Sequence, residues 1–174
     1  MVKVRKAVDK ALEWVLVVLM GFSVLNVLWQ VFTRFVLRNP SSVTEELARY
    51  MLIWIGILAA GFGVGKRAHL AIDLLPLKLK GDRRRALELV IQLVVAVFAL
   101  FVMVIGGIRL VSIVLYLDQT SAAMQVKLGY VYLVLPITGL LILFYTVLNI
   151  IEIFRPSLVD RDASPDGRTP AAVD

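Results

Sequence analysis

The sequence contains no cysteine and one histidine, His69. Disulfides and thiolate metal sites are therefore excluded. A structural zinc site wants about four ligands, which one histidine beside an aspartate does not supply. No glycine-rich loop ending in Lys-Ser/Thr is present, and no Ser-His-Asp set, so nucleotide cradling and triad catalysis are not expected. The chain reads as a non-enzyme, with no cofactor and no metal. Charge is scarce at 18% of residues, whereas 60% are hydrophobic and the mean hydropathy is +0.86. A soluble domain carries about 25% charged residues. The net charge of +6 does not imply nucleic acid, because the basic residues fall between long apolar runs, as in membrane-protein loops. Alternating polarity of the kind a membrane β-barrel needs is also missing.

What is present is four apolar runs. A helix needs about 20 apolar residues to cross a bilayer core. The uncharged stretch between Glu13 and Arg34 holds 20 residues, and that between Glu88 and Arg109 holds 20. The stretch between Lys127 and Glu152 holds 24. Between Arg49 and Lys66 there are 16, enough if the helix begins near Glu45. Backbone groups in lipid must be satisfied internally, so these runs are expected to be helices. The sequence predicts an all-α integral membrane protein with spans at about 12–36, 45–66, 87–117 and 128–152, in one transmembrane domain covering 1–155. The first run is too long for a signal peptide and lacks a small-residue cleavage site, so it is expected to remain as an anchor.

Basic residues set the orientation. The N-terminal segment, the loop after the second span and the tail hold 14 of the 19 Lys and Arg, against three (Arg34, Arg38 and Lys127) on the other side. Both termini are therefore expected in the cytoplasm of a multi-pass inner-membrane protein. Trp14, Trp29, Tyr116, Tyr130 and Tyr132 stand where an aromatic belt belongs. Residues 156–174, rich in Pro, Asp, Ala and Gly, are expected to form a disordered cytoplasmic tail.

Ionisable groups inside spans are functional candidates, and no Asp or Glu sits in the middle of any run. A coupling-ion site in this chain is therefore not expected. Arg109 is the one clear charge within an apolar run. It would either meet an acidic partner or an anionic substrate, or snorkel to the surface. The second helix opens Ser41-Ser42-Val43-Thr44-Glu45-Glu46-Leu47-Ala48-Arg49-Tyr50. Ser42 with Glu45 has capping-box spacing, Thr44 is an alternative N-cap, and Glu45 with Arg49 is an i,i+4 pair. Those residues make either a well-started helix or a polar patch for a partner. His69 and Asp73 are also four apart, beside Leu70, Leu74 and Leu77. A short amphipathic interfacial piece ending at Pro76 is expected there. Ser23, Asn26 and Gln30 share one face of the first helix, and Gly56, Ala59, Ala60 and Gly63 lie on the second. Both sets are expected to serve close helix packing, as are Gly106-Gly107 and Pro136 with Gly139.

From Asn26 to Pro76 the chain resembles the DctQ-type family, the small membrane subunits of tripartite ATP-independent periplasmic (TRAP) transporters. The carrying residues are Trp29-Gln30-Val31-Phe32-Thr33-Arg34-Phe35-Val36-Leu37, then Glu45-Glu46-Leu47-Ala48-Arg49-Tyr50, then Trp54-Ile55. Lys66-Arg67-Ala68-His69-Leu70-Ala71-Ile72-Asp73-Leu74-Leu75-Pro76 completes the pattern. The resemblance implies a scaffold beside a large, elevator-type, sodium-coupled subunit that imports organic acids handed over by a periplasmic binding protein. The implied partners are that large subunit, the binding protein and membrane lipids. The resemblance also implies that Glu45, Glu46, Arg49 and Arg34 lie at a subunit or binding-protein interface, and that His69 and Asp73 fix the cytoplasmic end of the second helix. Two other readings compete: a self-sufficient four-helix exporter, which would need a membrane-embedded carboxylate, and an assembly subunit of a different membrane complex.

Overall fold

The computed structural model describes residues 2–38, 41–66 and 82–154. His69, Asp73 and the tail from 156 to 174 lie outside the described residues. The fold is all-α, as the apolar runs require. Its elements are α1 (Val2–Phe35), α2 (Ser42–Gly65), α3 (Asp82–Phe98), a π-helical stretch (Ala99–Gly106), α4 (Gly107–Tyr116), α5 (Leu128–Tyr132) and α6 (Val134–Phe154). Four helical segments are long and apolar enough to cross a membrane: Val4–Phe35, Ser42–Gly65, Ala86–Tyr116 and Leu128–Ile151.

α1 starts well before its apolar run. Its 34 residues extend about 51 Å at 1.5 Å per residue, against a hydrocarbon core of about 30 Å. The first turns, which carry Arg5, Lys6, Asp9 and Lys10, therefore project beyond the lipid. α3, the π stretch and α4 run on as one span. The last span is interrupted at Leu133, between α5 and α6. Pro136 explains the break, because its missing N–H and its ring act on the carbonyl four residues back, that of Tyr132. The capping box does not form. The N-cap is Ser41, without a side-chain cap bond, and the Thr44 hydroxyl donates to the Ser41 carbonyl at 2.9 Å.

α6 is the hub. Of the apolar window of the fourth span, which α5 and α6 make up, 44% is buried, against 22% for α2, 11% for the third span and 6% for α1. One apolar cluster joins Leu12 of α1, Leu58 of α2, and Val134 and Tyr145 of α6. A second joins Val64, Ala99 and Ile142. The end at which α1 begins is called here the base, and the opposite end, which carries loop 117–127, the crown.

Glycine sets how closely the helices approach. The small residues expected to do this on α2 do not: Gly56, Ala59 and Ala60 are exposed, and a Cβ built on Gly56 or Gly63 meets nothing within 4 Å. The contact falls on Gly61 and Gly65 instead. A Cβ on Gly61 would stand 2.6 Å from Thr138 Cγ2, and one on Gly65 2.7 Å from the Tyr145 ring. The run from Gly56 to Gly65 has small residues on most sides, so spacing alone does not select the buried face. Between the third and fourth spans the expectation holds for Gly107, Pro136 and Gly139 but not for Gly106, which is exposed. Gly107 receives Leu135 and Pro136, and Gly139 receives Met103 and Val104 of the π stretch. Gly139→Val is expected to lower stability by about 1–3 kcal/mol, as overpacking does. A Cβ there would lie 3.2 Å from the backbone nitrogen of Val104, which has little room to give. A thermal melt in detergent checks this, and an unchanged Tm would contradict it.

Candidate functional site

The polar chemistry of the bundle gathers at its two ends. At the crown, α2 presents two adjacent carboxylates with opposite fates. Successive residues on a helix point about 100° apart, so one faces out when the other faces in. Glu45 faces out and meets Arg49 at 3.7 Å, with both side chains more than half exposed. Exposed pairs of this kind contribute at most about 1 kcal/mol.

Glu46 turns inward to loop 117–127. Its Oε1 accepts the Tyr50 hydroxyl at 2.7 Å and the Ala122 N–H at 3.2 Å. Its Oε2 accepts the Ser121 hydroxyl at 2.8 Å and the N–H groups of Ala123 and Met124 at 2.9 Å each. Three successive backbone N–H groups converging on one anion form a nest, here filled by the chain's own carboxylate.

The loop that makes the nest is tightly tied. Ser121 N–H donates to the Val126 carbonyl at 2.9 Å, and Leu128 N–H to that of Gln119 at 3.0 Å. Thr120 and Lys127 form an isolated antiparallel bridge. Lys127 pairs with Asp118 at 3.0 Å, and that hydrogen bond raises the Lys127 ammonium above its ordinary value. Asp118 and Gln125 both adopt left-handed backbone, at φ 48° and 55°. Asp tolerates that region through local hydrogen bonding; Gln does so less readily. Asn26 of α1 donates to the Thr44 carbonyl at 2.9 Å, so this member of the polar stripe on α1 ties it to the start of α2.

At the base, Asp9 is the shared acceptor. The wholly buried Tyr145 donates its hydroxyl to Asp9 at 2.6 Å. Lys66 lies 3.2 Å from Glu13 and 3.9 Å from Asp9. Arg5 donates to the Gly65 carbonyl at 2.7 Å, one of the carbonyls that the end of α2 leaves without an intrahelical partner. This junction holds the first turns of α1 and the end of α2 to the middle of α6.

The structure therefore divides the residues that the sequence singled out. Glu45 and Arg49 form an exposed pair, and Glu46 is used internally. Arg34 is exposed in the last turn of α1, and Arg109 is exposed on α4. Neither reaches Glu45 or Glu46 in an ion pair among the described residues. Residues 121–124, Asp9 and Tyr145 escaped the sequence reading. The only available hint was the small-residue run Ser121-Ala122-Ala123, which suits a tight turn of amides. No group of three or more His, Cys, Asp or Glu able to hold a metal occurs among the described residues.

A sequence model of the tripartite ATP-independent periplasmic transporters, DctQ component, matches residues 23–156. The chain belongs to the DctQ family. It is 28% identical over 102 residues to the sialic acid TRAP transporter small permease protein SiaQ of Vibrio cholerae, a match covering 59% of each chain. It is 29% identical over 72 residues to a Haemophilus influenzae protein provisionally described as a TRAP transporter small permease protein. That match covers 41% of this chain and 45% of the relative. The two curated matches thus span less than two thirds of those relatives. The matched segment includes the crown carboxylates Glu45, Glu46 and Asp118, whereas the base carboxylates Asp9 and Glu13 precede it. The four membrane-crossing helices fit a multi-pass membrane component.

Proposed function

We propose that this chain is the small, static membrane subunit of a sodium-coupled importer of organic acids. One observation carries the reading. The polar groups at the crown and base tie the chain's own helices and loop together, and the middle of every span lacks Asp and Glu. That is the construction of a brace rather than of an ion-coupled carrier. A large elevator-type subunit moves the substrate, a periplasmic binding protein delivers it, and this chain supports the fixed part. By the distribution of basic residues the base and both termini face the cytoplasm and the crown faces the periplasm, in a bacterial inner membrane. The relative named for sialic acid makes carboxylated sugars the first substrates to try with the complex, with C4-dicarboxylates next.

Glu45, Arg49 and Arg34 form the polar contact surface at the crown, and Glu46 shapes the loop beside them. Charge reversal at Glu45 and Arg49 together is expected to reduce recovery of the large subunit several-fold. The melting temperature of the isolated chain should barely move, because exposed pairs contribute little to stability. Unchanged recovery would remove these residues from the interface. The reading as a whole is tested by purifying the tagged chain from native membranes in mild detergent. One large multi-span protein in near-equal amount is the expected partner. Recovery of the chain alone, or as a homodimer, would overturn the brace and favour an independent small exporter. A different set of partners would make it the assembly subunit of another complex.

A further inference from the structure

The crown holds five cations, Arg34, Arg38, Arg49, Arg109 and Lys127, and three carboxylates, Glu45, Glu46 and Asp118. All three carboxylates are engaged: Glu45 by Arg49, Asp118 by Lys127, and Glu46 by hydroxyls and amides. None is left for Arg109. Arg49 lies about as far into its helix but is paired with Glu45; Arg109 is set as deep without such a partner. It is the third residue of α4 and stands seven residues before Tyr116, about 10 Å along the helix axis.

Its face of the span points away from the bundle. Gly107, Val111 and Val114 are buried inward, whereas Ile105, Ile108, Ile113 and Tyr116 are exposed. Tyr116, seven residues on and on the same face, is 90% exposed, as befits a residue at the membrane boundary. Ser112 shares this side, but its hydroxyl donates to the Ile108 carbonyl at 2.8 Å.

A lone charge on a lipid-facing wall is costly unless something anionic reaches it. Water lies beyond Tyr116. α4 runs toward the crown, so its Cα–Cβ bonds lean back toward the bilayer centre. The Arg109 side chain must therefore double back to approach the surface. A headgroup phosphate drawn inward shortens that path, and the planar guanidinium matches its oxygens with two parallel hydrogen bonds. The wall itself suits lipid: Ile105, Ile108 and Ile113 stand exposed beside the small Gly106, with no carboxylate among them.

We infer that Arg109 anchors the phosphate of one phospholipid in the crown-side leaflet, with Tyr116 at its headgroup and Ile105, Ile108 and Ile113 along its acyl chain. This rests on the four membrane-crossing helices and not on partnership with a large subunit. The test is native mass spectrometry of the full chain, delipidated and titrated with phosphatidylglycerol. The parent protein is expected to take up one lipid about tenfold more tightly than Arg109→Leu, the loss of a charge-assisted phosphate contact. Arg109→Lys should recover part of the difference. The leucine variant should fold, because Arg109 pairs with no carboxylate among the described residues and leucine suits lipid. Equal lipid affinity in the parent and Arg109→Leu would overturn the inference. So would loss of a copurifying protein on Arg109→Leu with lipid affinity unchanged, which would assign the guanidinium to an acidic partner.

Discussion

Gly65→Val is expected to cost about 2–4 kcal/mol and to unfasten the base of the bundle. A Cβ at Gly65 would stand 2.7 Å from Cζ of Tyr145 and 2.8 Å from both Cε atoms. That ring has nowhere to go. It is wholly buried and is held through its hydroxyl to Asp9 at 2.6 Å. Two costs therefore add. Forcing extra atoms into a packed contact costs about 1–3 kcal/mol, and the lost hydrogen bond costs about 1 kcal/mol more. Valine is a better helix residue than glycine, but that gain is smaller than either cost. Tyr145→Phe is the control: it keeps the ring and deletes only the hydroxyl, so it should lose about the hydrogen-bond share. Thermal unfolding of the two variants in detergent separates the effects. A Gly65→Val protein that melts with the parent would show that the α2–α6 contact at the base is not tight.

The four spans were legible because lipid imposes one rule on every residue they contain: long uncharged runs must be helical and must cross. The fold class followed from that alone. Which face of each helix turns inward was less legible. On α2 the small residues Gly56, Ala59, Ala60, Gly61, Gly63 and Gly65 surround the helix, and only the position of Thr138 and Tyr145 on α6 selects Gly61 and Gly65. The π stretch from Ala99 to Gly106 left no mark in the hydropathy either, since its composition is simply apolar. Gly107 and Gly139 flagged the region as tightly packed without revealing the wider turn.

The polar junctions were hidden for different reasons. Asp9 sits among Lys3, Arg5, Lys6 and Lys10, where the basic excess dominates any reading of topology. Its partner Tyr145 is 136 residues away. Glu46 was visible as a candidate, paired in sequence with Glu45 and Arg49. The sequence could not show that two neighbouring carboxylates face opposite ways with different partners. Loop 117–127 bends through Asp118 and Gln125 at positive φ. Neither is glycine, so the usual signature of such a bend is missing.

Glu46→Ala is expected to release that loop, lowering stability by about 2–3 kcal/mol as hydrogen bonds to a charged acceptor are lost. The carboxylate is the only group that binds Tyr50, Ser121, Ala122, Ala123 and Met124 at once. Without it the Ala122 and Ala123 N–H groups lose their acceptor, Met124 N–H keeps only the Ser121 hydroxyl oxygen at 3.2 Å, and left-handed Gln125 loses the contacts that over-determine it. Glu46→Gln should fall between the parent and alanine. Its one carbonyl oxygen can take the three donors on the Oε2 side, but its amide nitrogen then confronts the Ala122 N–H, donor against donor. Amide hydrogen exchange reads this directly. Exchange at Ala122, Ala123 and Met124 should accelerate about 30- to 150-fold in Glu46→Ala, the fold-change of 2–3 kcal/mol, with trypsin cutting sooner after Lys127. Uptake by the assembled transporter should fall with the loop's order while the large subunit still copurifies. Reversal of Glu45 and Arg49 should do the opposite, weakening assembly and leaving exchange in the loop unchanged. Parent-like exchange in Glu46→Ala would mean that the backbone bonds of the loop suffice, and that Glu46 is free to serve the crown in some other way.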